Sequence, residues 1–74
     1  MRKIELEAAG YALVLLDEIC QGYDTELYRY RCTQYLRDGL GSLLHPVILS
    51  KWLMGDLPTN TLMRKVEELI EHNS

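Results

Sequence analysis

Two cysteines and two histidines are too few, and too scattered, to make a metal site in this chain of 74 residues. Cys20 and Cys32 have no second cysteine pair beside them, and His45 and His72 lie far apart in sequence. Long hydrophobic runs are missing as well. The longest, Ala8 to Leu16, is nine residues and is closed by Asp17 and Glu18, whereas a membrane-spanning helix needs about 20. Glu5 and Glu7 precede that run and no small-residue cleavage pattern follows it, which does not fit an export signal. A cytoplasmic protein with no membrane partner is therefore expected. In such a compartment both thiols are expected free and buried; the alternative is one bridge stapling two helices. Five glycines and two prolines are too few for a collagen-like or low-complexity chain. Extended period-two alternation is absent too, so no strand is expected.

Catalytic sets are equally scarce. No carboxylate pair, Ser/His/Asp set or Cys–His set stands at a motif spacing. At this length a chain buries only roughly 60–65% of its unfolded surface, and a substrate pocket of ~300 Å³ would take up most of such a core. No enzyme and no cofactor are expected, and residues 1–74 are expected to form one domain.

What is present is an uneven distribution of charge. The net charge of −3 conceals three zones. Residues 1–26 sum to −4, residues 27–66 to +4 and residues 67–74 to −3. The middle zone holds Arg29, Arg31, Arg37, Lys51, Arg64 and Lys65 against only Asp38 and Asp56. A nucleic-acid partner would have to be met through that zone.

The apolar spacing predicts an all-α chain, a compact bundle of about four helices near residues 4–20, 25–40, 45–54 and 60–72. In the first, Ile4, Ala8, Tyr11, Leu15 and Ile19 recur at helical spacing. Ala12, Leu16 and Cys20 widen the stripe, so more than one side should be buried. Asp24 is the expected N-cap of the second, whose apolar face is Tyr28, Cys32, Tyr35 and Leu36; its end is expected at Leu40 or earlier, at Gly39. The third begins at His45 or Pro46 and stops at Gly55, with Leu49, Trp52 and Leu53 on its buried face. Thr59 or Asn60 should cap the fourth, which carries Leu62, Val66, Leu69 and Ile70 as a single stripe.

The cluster Leu49-Ser50-Lys51-Trp52-Leu53-Met54-Gly55, followed by Leu57-Pro58-Thr59, resembles the helix-turn-helix of small phage and bacterial repressors, the lambda-repressor-like or XRE-type domains. The resemblance covers roughly residues 36–70 and implies a helix-turn-helix portion at about 25–72. It implies a transcriptional regulator that binds double-stranded DNA as a homodimer, with the third helix in the major groove. On that reading His45, Val47 and Lys51 face the groove, Lys51 bonding guanine or a phosphate and Val47 meeting a thymine methyl. Arg29, Arg37, Arg64 and Lys65 hold phosphates. Leu49, Trp52, Leu53, Gly55, Leu62 and Val66 form the core of the motif.

A second reading comes from the residues that such a motif does not need. Leu43-Leu44 stand where polar side chains are usual, His45-Pro46-Val47-Ile48 offer few hydrogen bonds to bases, and the chain is acidic overall. These features suit an all-helical module that binds a protein through the Leu43–Ile48 surface, in the manner of a phage-encoded inhibitor or an antitoxin-like protein.

Overall fold

The computed structural model describes residues 1–74 and contains four helices and no strand. They are α1 (Lys3–Cys20), α2 (Glu26–Leu40), α3 (Pro46–Leu53) and α4 (Thr59–Asn73). The all-α bundle expected from the spacing is the architecture found, within an envelope of 30 × 21 × 17 Å. α1 packs chiefly against α2 and next against α4, while α3 rests on the bundle beside α4.

Small residues decide how α1 and α2 meet. Ala8, Ala9 and Ala12 are buried on α1, with Leu16 and Ile19 extending the same face. Gly39 of α2 lies directly against this face. A Cβ there would sit 2.6 Å from the Glu5 carbonyl oxygen and 2.7 Å from the Ala9 nitrogen. The two backbones touch, so Gly39 is a crossing point inside α2 rather than its end. The helix runs on to Leu40, whose carbonyl accepts from the amides of Leu43 and Leu44 and rolls the chain into the next turn. That turn tucks Leu44 into the core and leaves Leu43 outside.

Several local expectations are corrected. The N-cap of α2 is Thr25, whose hydroxyl accepts from the Tyr28 amide at 3.1 Å, and not Asp24. Asp24 instead pairs with Arg29. α4 starts one position early, with Pro58 as N-cap and Thr59 already helical. Ile4 and Tyr11, placed on the buried stripe of α1, are 80% and 57% exposed. α1 is apolar around most of its circumference, but α2 and α4 cover only the arc of Ala8, Ala9, Ala12, Leu16 and Ile19. Tyr11 lies outside that arc, its ring 5.4 Å from the ring of Tyr35.

The short α3 is fixed at both ends. The His45 imidazole accepts from the Val47 amide at 3.1 Å, and Pro46 fills the first helical position, where a missing N–H costs nothing. At the other end Gly55 adopts φ +84°, a conformation that suits glycine. Its amide bonds the Trp52 carbonyl and the Asp56 amide bonds Lys51, the paired bonds of a Schellman turn.

Candidate functional site

Trp52 holds α3 to the rest of the molecule. Its side chain is fully buried, and its indole N–H donates to the Thr59 hydroxyl at 3.0 Å, linking α3 to the first turn of α4. The Arg29 guanidinium lies 4.8 Å from the ring centre and donates to the Trp52 carbonyl at 3.2 Å. A cation there meets the negative end of α3 as well as the face of the ring. The same guanidinium donates twice to the Asp24 carboxylate, at 2.6 and 2.8 Å. This hydrogen bonding holds the Asp24 carboxyl below its ordinary value and raises Arg29 above its own. Asp24, Arg29, Trp52 and Thr59 thus tie the α1–α2 loop, α2, α3 and α4 together.

With Trp52 and Leu49 turned inward, helical geometry turns Val47, Ser50, Lys51 and Met54 outward on one side. Val47 is 50% exposed and Met54 75%. Leu53, expected in the core, is 46% exposed at the edge of α3 that faces α2. No element covers that edge, so Leu49 and Trp52 alone supply the buried side of α3. Beyond Leu53 the surface continues onto α2, where exposed Tyr30 lines the same shallow hollow with Gln34 and Arg37.

Two further hollows flank α3. One, of 220 Å³, lies between α3 and the C-terminal end of α2, floored by Leu36, Leu44 and Leu49 and bounded by Pro46, Leu53 and Gly41, with Arg37 and Ser50 among its lining residues. The other, of 240 Å³, lies between the α2–α3 turn and α4, where Leu43, Leu44 and Ile48 meet Leu69, with His45, Lys65, Glu68 and His72.

The residues assigned to DNA are distributed rather than convergent. His45 and Lys65 come together at the second hollow, while Arg37 stands at the first. Lys51 and Val47 are exposed on α3. Arg64 lies on the side of α4 opposite buried Leu62 and Val66. Arg29 is engaged by Asp24 and Trp52. Apart from Arg29 with Asp24, the only ion pair is Arg2 with Glu5, so Arg37, Lys51, Arg64 and Lys65 have no acidic partner. The Leu43–Ile48 stretch divides as well: Leu43 and Val47 are exposed, Leu44 is buried and Ile48 half-buried. Among the motif residues, Leu49, Trp52, Leu62 and Val66 lie in the core and Gly55 ends α3. Tyr30 and Met54 add exposed apolar surface beyond the expected site residues, Met54 standing between exposed Leu53 and the helix stop at Gly55.

No group of three or more His, Cys, Asp and Glu side chains converges, and no helix is long and apolar enough to cross a membrane. Comparison with protein-family models, curated proteins and solved structures finds no match for the chain.

Proposed function

We propose that the chain is an all-helical protein-interaction module that docks a partner protein through the outward side of α3. The observation that carries this reading is the exposure of Val47, Leu53 and Met54 together on and beside one short, rigidly anchored helix. Apolar side chains in water favour burial against a partner, and methionine adapts to surfaces of varied shape. Arg29 is engaged by Asp24 and the Trp52 carbonyl, which withdraws one of the basic side chains near α3 from contact with a phosphate. The reading assigns no catalytic residue.

Selection of a random-peptide display library on the immobilised protein tests it. Selected peptides should lose binding to Val47→Asp and to Met54→Asp, which keep the fold because both positions are exposed. Peptides that bind those variants as well as wild type would place the docking surface elsewhere.

A homodimeric helix-turn-helix regulator is the second reading. It is favoured by Lys51 standing exposed on α3 without an acidic partner, one residue from the buried Trp52 anchor. On that reading Lys51→Ala costs about 1–3 kcal/mol on a preferred duplex and little on random duplex.

A further inference from the structure

The 220 Å³ hollow between α2 and α3 is larger than the ~150 Å³ cavity that admits a benzene ring and smaller than the ~300 Å³ lower bound of pockets for drug-sized ligands. Its size therefore suits one bulky apolar side chain. Its floor is apolar, formed by the buried Leu36, Leu44 and Leu49, and Leu53 continues the apolar wall to the surface. Among the residues that line it, the only charged one is Arg37, a cation with no acidic partner in the fold. A guanidinium beside an apolar hollow favours a carboxylate, which it engages through two parallel hydrogen bonds.

We infer that this hollow is the anchoring pocket for a partner-protein segment that presents a bulky apolar side chain next to a carboxylate. The apolar side chain enters between α2 and α3 over Leu49, and the carboxylate pairs with Arg37. The inference rests on the reading of α3 as a docking surface and adds the chemistry of what docks. It predicts an order of preference: apolar plus acidic first, apolar alone weaker, apolar plus basic excluded by Arg37.

The test uses 3-phenylpropionate and its neutral twin 3-phenylpropanamide as probes, each titrated into the isotope-labelled protein and followed by amide chemical shifts. Ligands of that size bind at millimolar strength, within reach of the method. Expected are saturating shifts at Leu36, Gly41, Leu49, Ser50 and Leu53, with the carboxylate binding about fivefold or more tightly than the amide, the effect of a partly screened charged hydrogen bond. In Arg37→Gln, its fold checked by a melting temperature that should match wild type, the two probes should bind alike. Equal binding of the two probes to wild type overturns the proposal, as do shifts that map elsewhere or no shift from either probe. Shifts at Arg37 and Ser50 with a short DNA duplex, but with neither probe, overturn it in favour of phosphate contact. Failure here with retained Val47-dependent peptide binding removes only the anchor chemistry; loss of that peptide binding with the probes still seated removes the α3 docking reading instead.

Discussion

Replacing Trp52 probes the attachment of α3, on which both the docking surface and the adjoining hollow depend. Trp52→Ala removes a fully buried indole, and truncations of this kind cost about 3–5 kcal/mol. It also deprives the Thr59 hydroxyl of its donor and Arg29 of the ring it covers. A chain of this length has a total stability of roughly 4–11 kcal/mol, so the loss should take from about a quarter of it to all of it. At about 4–8 °C per kcal/mol for a domain of this size, its melting temperature should fall by at least ~12 °C. Trp52→Phe separates volume from hydrogen bonding: most of the apolar bulk stays, and the indole N–H is lost. A cost of about 1–2 kcal/mol is expected, part of it the net worth of one hydrogen bond. In the Trp52→Phe background, Thr59→Val should then add less than it costs in wild type, because the partner is already gone. Far-UV circular dichroism during urea and thermal unfolding measures all five proteins, wild type, Trp52→Ala, Trp52→Phe, Thr59→Val and the double variant. If Trp52→Ala melts within two or three degrees of wild type, Trp52 is not the anchor and the outward side of α3 is wrongly assigned.

The two mid-helix glycines of α1 and α2 should respond oppositely to alanine. Gly39→Ala drives a methyl into the Glu5 and Ala9 backbone and should cost about 1–3 kcal/mol despite its better helix propensity. Gly10→Ala, where a Cβ meets open space, should be neutral or stabilise by up to ~1 kcal/mol; the same sign for both in urea melts would contradict the α1–α2 crossing. The cysteines should differ in reactivity: exposed Cys20 labels rapidly with a thiol reagent at mildly alkaline pH. Cys32, buried against the Ala12 carbonyl with its thiol pushed up to about 12 by desolvation, should label only as the protein opens. Asp24, held low by the hydrogen bond from Arg29, stabilises the fold above its unfolded-state value of about 3.9, and that contribution is lost as pH falls through the lower folded value. Asp24→Asn should therefore lose less stability than wild type on acidification, and an identical acid limb would remove the pair from the account.

Helix positions were legible because their signals are local. Gly55 after Met54, Pro46 at a first turn and the Leu62–Val66 spacing each work through the few residues around them. The misplacements arise where the answer depends on a distant segment. Gly39 reads as a stop until the α1 backbone is seen beside it. Ile4 and Tyr11 read as core because a helix apolar on nearly every side carries no mark of which arc its neighbours will cover. Asp24 reads as a cap because its bond to Arg29 gains its purpose from the Trp52 carbonyl, 23 residues further on from Arg29. The candidate site was legible only in part. The exposure of Val47 and Lys51 follows from their helical spacing against Leu49 and Trp52, but the exposure of Leu53 and the hollow beside Arg37 follow from how far α3 stands off α2.

The choice between a protein-docking and a DNA-reading α3 is tested most directly by fluorescence anisotropy of a labelled random-sequence duplex titrated with the protein. Phosphate contacts are strongest at low salt, so the titration is run at ~20 mM and repeated upward, with a slope of about −0.9 log units per log unit of salt for each phosphate neutralised. With Arg29 held by Asp24 and Arg64 on the side of α4 opposite its buried face, no saturable binding is expected at the lowest salt. Saturable binding that weakens steeply with salt, and that Arg37→Glu weakens on every sequence alike, would contradict it.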